Sequence, residues 1–242
     1  MLPHLKLEPG DLPEYVLFPG DPDRAKRVGD RLEDSKDVAS NREYRSIVGN
    51  YGGVPVGVVS AGIGAPGAAI AYEEAIKAGA ETLIRIGTTG SLNRDKVDSG
   101  DLVVVESAVR DEGLSGQHVP LEVPAAPDRT VTNALADAAE DLNYPYTPGM
   151  VLTTDAFYVG NGALDRKELT EVGVLAVEME CAALFTVALV RGVRAGAVLA
   201  VNGDASKDKS VINEAIGREI DVALDAVVGL ESREPHTKER DL

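Results

Sequence analysis

The sequence contains a single cysteine, Cys181, among 242 residues. One thiol excludes an internal disulfide framework and a multi-cysteine zinc site. No apolar run approaches the roughly 20 residues that a helix needs to cross a bilayer. The first residues lack the basic region and the apolar stretch of a secretory signal. We therefore expect a cytoplasmic protein.

Basic residues are also scarce. Forty acidic residues against 24 basic ones give a formal charge of −16, and arginine outnumbers lysine. A nucleic-acid ligand is disfavoured because this chain would repel its phosphates. An ordinary acidic enzyme fits the charge, but adaptation to a salt-rich cytoplasm fits it better, because salt screens the repulsion between carboxylates. Any anion site must then use a few arginines and backbone amides.

Apolar runs rich in valine and isoleucine alternate with helix-like segments, which predicts an α/β domain with a mostly parallel sheet. The predicted strands cover residues 16–19, 54–60, 82–87, 102–107, 175–177 and 197–201. The predicted helices cover residues 23–32, 66–78, 130–142, 164–171, 180–191 and 211–230. One domain is expected over residues 1–230, followed by a polar, flexible tail over 231–242.

Two glycine turns after apolar strands are candidate anion sites. In the first, Gly20 precedes a helix that carries Arg24, so that backbone N–H groups, the helix N-terminus and the guanidinium can surround an anion. In the second, Arg85 lies in an apolar strand that leads into Thr88, Thr89 and Gly90. A buried arginine requires an anion or a structural carboxylate as its partner, and both alternatives stay open.

A third glycine-rich stretch, residues 62–67, satisfies the dinucleotide-binding fingerprint. A ribose-binding acid should then end the next strand. That strand instead ends in Arg85, Ile86 and Gly87, which disfavours a nicotinamide or flavin cofactor.

Carboxylates mark the ends of the last two predicted strands. Glu178 and Glu180 flank Met179, and alternation along a strand puts both acids on one face, where carboxylates accept hydrogen bonds from sugar hydroxyls. A helix N-terminal acid is the alternative for Glu180. Asn202 and Asp204 follow the last strand, and they either contact a base or cap a turn.

In combination and in this order, these motifs resemble the hexameric nucleoside phosphorylase family, and within it the uridine phosphorylases, from about His4 to the last helix. The resemblance implies a three-layer α/β/α fold with a central mixed, mostly parallel sheet. It implies phosphorolysis of a nucleoside to a free base and ribose 1-phosphate, without a cofactor. It also implies a homohexamer built as a trimer of dimers.

The resemblance assigns roles by position. Phosphate would be bound by Gly20, Arg24, Arg85 and Thr88, with Thr89 and Gly90 beside them and Arg42 from a neighbouring subunit. Ribose would contact Met179 and Glu180, with Glu178 adjacent and a neighbour's His4 at the 5′-hydroxyl. Phe157 would stack on the base. The catalytic residues would be Arg85, Glu180 and Asp204.

Departures from the family pattern concern the base and a cation. Asn161 and Ala163 stand where uridine phosphorylases carry the glutamine and arginine that read uracil. Asn202 stands where purine-cleaving members place an acid, with Asp204 two residues later, so purine nucleosides are the alternative substrates. The family's monovalent-cation site at the dimer interface would use Glu43 and Ile63, but Gly67 replaces its serine. No metal ligands are therefore assigned, and a structural monovalent cation stays an open alternative. A hydrolytic nucleosidase and a non-catalytic nucleotide-binding protein are further alternatives.

Overall fold

The computed structural model describes residues 1–160, 164–202 and 209–233. Its strands are β1 (Tyr15–Phe18), β2 (Glu33–Asn41), β3 (Tyr44–Tyr51), β4 (Val54–Val59), β5 (Thr82–Ser91), β6 (Leu102–Asp111), β7 (Tyr146–Thr154), β8 (Val174–Glu178) and β9 (Arg194–Val201). Its helices are α1 (Pro22–Gly29), α2 (Ala65–Ala78), α3 (Ser115–His118), α4 (Arg129–Asp141), α5 (Arg166–Glu171), α6 (Cys181–Arg191) and α7 (Lys209–Arg233). The predicted α/β class is confirmed. No helix in these ranges is both long and apolar enough to span a bilayer.

The strands form one mixed, nine-stranded sheet in the order β2-β3-β4-β1-β5-β8-β7-β6-β9. Parallel pairing joins β1 to β4 and β5, β5 to β9, and β7 to β6 and β8, while the remaining pairs are antiparallel. Strand β5 pairs with β9 over residues 82–89 and with β8 at Gly90 and Ser91. Strands β5, β9, β6, β7 and β8 therefore close into a ring, and β5 changes partner at the predicted second anion turn.

Helices cover both faces of the sheet. In β1, Val16 and Phe18 pack in the core cluster that holds the buried alanines of α2 and α6. Tyr15 and Leu17, on the opposite face, pack in the cluster that holds the buried residues of α1, α4 and α7. This alternation along one central strand is the signature of a sheet buried on both sides. The expected three-layer α/β/α arrangement is confirmed.

Three strands, β2, β3 and β7, were not predicted. Strand β2 has the polar sequence EDSKDVASN and is largely exposed, so no apolar pattern marks it. Strand β7 contains Pro148 and Gly149, two residues typical of turns. Strand β5 also continues to Ser91, past its predicted end at Gly87, because its pairing with β9 and β8 keeps it extended.

Helix ends lie within a few residues of their predicted positions, although α3 was not predicted. Helix α7 continues three residues past the predicted domain boundary. The Tyr15 hydroxyl donates to Glu231 at 3.1 Å, and Arg233 pairs with Asp137 at 2.6 Å. These contacts hold the last turn of α7 against the domain. The rest of the predicted tail, residues 234–242, lies outside the described residues.

Candidate active site

A cavity of about 900 Å³ opens where β1, β8 and β9 end and β5 changes partner. This volume suits a small-molecule ligand, and the strand ends of an α/β sheet are where such ligands bind. The cavity brings together most of the predicted site residues, namely Gly20, Arg24, Arg85, Thr88, Thr89, Gly90, Phe157, Glu178, Met179, Glu180 and Asn202.

Arg85 is buried in the middle of β5, with only 3% of its surface exposed. Its Nε donates to Glu178 at 3.1 Å, and its Nη2 forms an ion pair with Glu180. Its Nη1 has no hydrogen-bond partner in the described part of the chain. Burial disfavours the guanidinium charge, but Glu180 and Glu178 outweigh burial and raise the pKa of Arg85 well above its usual value. The cavity is therefore lined by a permanent cation with one uncommitted donor.

Gly87 allows the guanidinium to fold back along its own strand. A Cβ atom at this position would lie 3.0 Å from Nη2 of Arg85 and 3.3 Å from its Nη1. A side chain at this position would press on the guanidinium, so glycine gives the guanidinium room beside its two carboxylates.

Glu178 is occupied by protein donors. Its carboxylate accepts from the amides of Glu180 at 2.8 Å and Cys181 at 3.0 Å, and from the Thr153 hydroxyl at 2.5 Å, besides Arg85. It therefore caps α6 and orients Arg85. Glu178 also lines the cavity, next to Met179 and Glu180, so its predicted position adjacent to the ribose stays a prediction.

Glu180 has the opposite arrangement. It occupies the N-cap position of α6, as the helix N-terminal alternative requires, but its side chain makes no capping bond. Its Oε1 accepts from the amide of Gly64 at 2.6 Å, while its Oε2 pairs with Arg85. Burial raises the pKa of Glu180, and Arg85 opposes that shift. The glycine-rich stretch at residues 62–67 therefore holds the Glu180 carboxylate at the cavity.

The Gly20 turn packs directly on that glycine stretch. The amide of Gly62 donates to the carbonyl of Gly20 at 3.0 Å. Helix α1 then begins with Asp21 as its cap, and the Asp21 carboxylate accepts from the amides of Asp23 at 2.6 Å and Arg24 at 3.2 Å. The predicted use of α1 amides for an anion is therefore corrected, because the chain's own acid takes them. The Arg24 side chain still lines the cavity.

Glu219 of α7 was missed by the sequence analysis. It is fully buried, and one of its oxygens accepts from the amides of Gly87 at 3.2 Å and Ala200 at 2.9 Å. Its other oxygen lies 3.7 Å from Nη1 of Arg24. Burial raises its pKa to about 7, and Arg24 opposes the shift. An acid beside Ile220 in the apolar stripe of α7 was the available signal.

The two threonines after Arg85 have different contacts. The Thr89 hydroxyl donates to the carbonyl of Val177 at 2.8 Å, and its own carbonyl accepts from the amide of Asn202 at 2.7 Å. Thr89 therefore ties β5 to β8 and β9. Thr88, by contrast, is a half-buried residue that lines the cavity.

The cavity is also lined by Phe157, of which 74% is exposed, and by Arg166, the first residue of α5. Arg166 was missed, because sequence reasoning placed the missing base-reading arginine at Ala163. Asn161, Ala163 and Asp204 lie outside the described residues.

His4 and Arg42 do not line this cavity. His4 contacts Glu74 at 2.7 Å through Nδ1, and its carbonyl accepts from the Asn41 amide group at 2.7 Å. Arg42 is exposed, in the turn between β2 and β3, with a φ of 57°. The two residues lie close to each other on the outside of the protomer.

Among residues 1–160, 164–202 and 209–233, no group of three or more His, Cys, Asp or Glu side chains is placed so that it could hold a metal ion. Glu43 and Ile63, which the resemblance assigns to a cation site, both line the cavity. The carbonyl of Gly67 accepts from the Tyr44 hydroxyl at 3.0 Å.

Comparisons with known proteins agree with this architecture. The phosphorylase superfamily model matches residues 14–228. Uridine phosphorylase of Thermococcus kodakarensis is 42% identical over 210 residues, which cover 82% of this chain and 76% of that protein. Guanosine phosphorylase of Halorubrum lacusprofundi is 38% identical over 240 residues, which cover 94% of this chain and 98% of that protein.

A solved structure has the same fold. Purine nucleoside phosphorylase of Toxoplasma gondii, in complex with immucillin-H, superimposes with a TM-score of 0.91 at 31% identity, over 97% of this chain and 98% of that one. The chain therefore belongs to the phosphorylase superfamily. Within it, the chain is a member of the nucleoside phosphorylase family.

Proposed function

We propose that the protein cleaves the glycosidic bond of a nucleoside with inorganic phosphate, with uridine as the preferred substrate. The products are a free base and ribose 1-phosphate. The observation that carries this proposal is Arg85, a buried guanidinium at the cavity with an uncommitted Nη1 donor. A planar guanidinium binds phosphate oxygens strongly, and phosphate is here a co-substrate, so no cofactor is needed.

Phosphate would bind between Gly20, Arg24, Arg85 and Thr88, next to the backbone of Thr89 and Gly90. Both arginines are fixed by carboxylates, Arg85 by Glu178 and Glu180, and Arg24 by Glu219. A fixed site removes much of the entropic cost of bringing a mobile nucleophile to the sugar.

The ribose would lie over Met179 and Glu180, next to that phosphate. Sugar hydroxyls donate to the Glu180 carboxylate, and the methionine side chain packs against the ring. As the bond from C1′ to the base nitrogen breaks, positive charge develops on the sugar. The bound phosphate and Glu180 stabilise that charge, since both are already in place when it forms.

The assembly we propose is a homohexamer built as a trimer of dimers, acting in the cytoplasm. His4 and Arg42 lie on the outside of the protomer and away from its own cavity, which supports a role in a neighbour's site. The neighbour's Arg42 would complete the phosphate end, and its His4 would reach the ribose 5′-hydroxyl.

At the base end, Phe157 would stack on the base, and Arg166 would donate to a base carbonyl. Uridine is preferred because Asn202, which lines the cavity, carries no acid with which to protonate a purine. Guanosine or inosine is the second candidate, since a guanosine phosphorylase aligns over almost the whole chain. Asp204 would then supply the acid, and Asn161 would contact either base.

The test is base release from uridine, inosine and guanosine, with and without phosphate. We expect release to require phosphate and uridine to give the highest kcat/KM. Arg85→Ala should abolish phosphorolysis while nucleoside binding partly survives. Arg94→Ala, a control at an exposed turn outside the cavity, should keep the kcat/KM of the wild type. Turnover near that of the wild type in Arg85→Ala at saturating phosphate would overturn the assignment.

The same assay distinguishes the alternative functions. Release without phosphate would indicate a hydrolase, and no release would indicate a binding protein. Purine cleavage that dominates in the wild type and collapses in Asp204→Asn would favour the second candidate substrate.

A further inference from the structure

Glu219 lies beneath the proposed phosphate end, and the reaction above does not use it. Its Oε2 is anchored by the amides of Gly87 and Ala200, which belong to two neighbouring strands. Its Oε1 has no hydrogen-bond partner among the described residues, and it lies 3.7 Å from Nη1 of Arg24. One carboxylate oxygen is therefore fixed, while the other is free to hold a proton.

The charge at this end of the cavity is already unfavourable for an anion. Arg24 and Arg85 are accompanied by three buried carboxylates, Glu178, Glu180 and Glu219. A bound dianion would add two negative charges to a region shielded from water, where uncompensated charge is costly. Even with an arginine from a neighbouring subunit, three guanidiniums would face three carboxylates and a dianion, which leaves two excess negative charges. Loss of charge at one carboxylate would halve that excess.

Glu219 is the carboxylate that loses its charge most easily. Glu178 and Glu180 both contact Arg85 directly. The amide of Glu180 donates to the Glu178 oxygen that faces Arg85, and the amide of Gly64 donates to the other oxygen of Glu180. Two backbone amides also hold Oε2 of Glu219, but its only direct arginine contact is the longer one with Arg24, at 3.7 Å. An anion at Arg24 would also draw that guanidinium away from Oε1, which weakens the interaction that keeps Glu219 ionised.

The charged groups that act on Glu219 are Arg24 of α1 and Arg85 of β5, whereas β9 contributes the amide of Ala200. Burial outweighs both arginines and brings the pKa of Glu219 to about 7. In the free protein its charge is therefore balanced near neutral pH, where a nearby anion changes its protonation most.

We propose that Glu219 takes up one proton when a dianion binds at Arg24 and releases it when the dianion leaves. The proton comes from solvent and joins Oε1, and no other bond changes. This inference rests on the phosphate end of the proposed function. Linkage makes the effect reciprocal, so the anion must bind less tightly as the pH rises and Glu219 becomes harder to protonate.

The experiment uses sulfate, a dianion that does not itself titrate near neutral pH, and calorimetry in two buffers that differ in ionisation enthalpy. For the wild type at pH 7.5 we expect net uptake of roughly half a proton by this group. Glu219→Gln should lack that uptake. Asp221→Asn is the matched control, because Asp221 lies on the same helix and pairs with Arg31 at 3.2 Å, outside the cavity. It should behave like the wild type.

The pH profile gives a second readout. Between pH 6 and 8.5, sulfate affinity should fall about tenfold further in the wild type than in Glu219→Gln, which corresponds to a pKa shift of about one unit. At pH 8.5 the variant should bind sulfate more tightly than the wild type. A purely structural role of Glu219 would instead weaken binding at every pH.

Equal proton uptake in the wild type and Glu219→Gln would overturn the inference, as would weaker binding by the variant at every pH. If the variant fails to fold, infrared difference spectra of the wild type decide, because sulfate must produce the carbonyl band of a protonated carboxyl. A wild type that binds neither sulfate nor phosphate would overturn the phosphate end of the proposed function as well. Binding with no change in carboxyl protonation would overturn this inference alone.

Discussion

At the residue scale, the site contains two arginines that pair with three buried carboxylates. Arg85 gives two nitrogens to Glu178 and Glu180, and its third nitrogen, Nη1, has no hydrogen-bond partner among the described residues. A buried arginine was expected to pair with either a structural carboxylate or a bound anion. The Arg85 guanidinium can do both, because two of its nitrogens contact carboxylates and the third has no partner among the described residues. A lysine could not do this, because its single nitrogen cannot reach three separate acceptors in a fixed plane.

Glu219 should also control how stability depends on pH. Its pKa is raised from 4.5 to about 7 on folding, so between these values it is protonated in the folded state and ionised in the unfolded state. Its contribution to stability is complete below pH 4.5 and is lost as the pH rises through 7. The loss is about 3 kcal/mol. In denaturant unfolding without phosphate, the free energy of unfolding of Glu219→Gln should rise relative to that of the wild type by up to this amount between pH 5 and 8. A constant difference across that range would contradict the assignment.

At the element scale, the junction of β7, β8 and α6 holds Glu178 in place. The Thr153 hydroxyl donates to Glu178 and accepts from the amide of Ala182 at 3.0 Å. Thr153→Val keeps the shape but leaves buried polar groups unpaired, which should cost about 1–3 kcal/mol. It should also lower kcat, because a looser Glu178 no longer fixes Arg85.

Thr147→Val, near the other end of β7, should change stability by about 0.5 kcal/mol or less. Thermal unfolding and initial rates measure both effects. Equal changes in stability and kcat in Thr153→Val and Thr147→Val would contradict this role of Thr153.

The sequence predicts those elements whose apolar pattern is strong. The central strands and the helices that cover them follow from runs of valine, isoleucine and alanine. Strand β2 does not, because its pairing with β3 needs no buried face and its residues are polar. The same limit applies to the site. The glutamates near Met179 are visible in the sequence, but which one caps α6 depends on where Thr153 and Gly64 come to lie.

Long-range contacts explain the other differences. Glu219 and Arg24 are separated by most of the chain, and only the packing of α7 under β5 and β9 brings them together. Arg166 reaches the cavity from α5, where neither its spacing nor its neighbours marked it as a ligand.

At the scale of the whole molecule, sites shared between subunits should permit complementation. His4→Ala and Glu180→Ala would each inactivate every site in a pure oligomer. In mixed oligomers, some sites would combine an intact His4 with an intact Glu180 and recover activity. Reversible dissociation, mixing and reassembly, followed by rate measurement, tests this. Mixed oligomers without any recovered activity would indicate self-contained protomers.

The charge of −16 predicts that folding and assembly strengthen with salt. At about 1 M salt the Debye length is roughly 3 Å, so repulsion between surface carboxylates is largely screened. Thermal unfolding in a potassium chloride series should show a midpoint that rises toward molar concentrations. Sodium phosphate is avoided in this series, because a bound substrate would raise the midpoint independently. A flat or falling midpoint would contradict adaptation to high salt.

The most direct test of phosphorolysis is the origin of the oxygen that replaces the base at C1′. Uridine is cleaved in water labelled with ¹⁸O at saturating unlabelled phosphate, and the sugar product is analysed by mass spectrometry and ³¹P NMR. Phosphate held by Arg24 and Arg85 predicts ribose 1-phosphate with no label at C1′. Free ribose carrying ¹⁸O at C1′ as the first product would show that water is the nucleophile and would contradict the account.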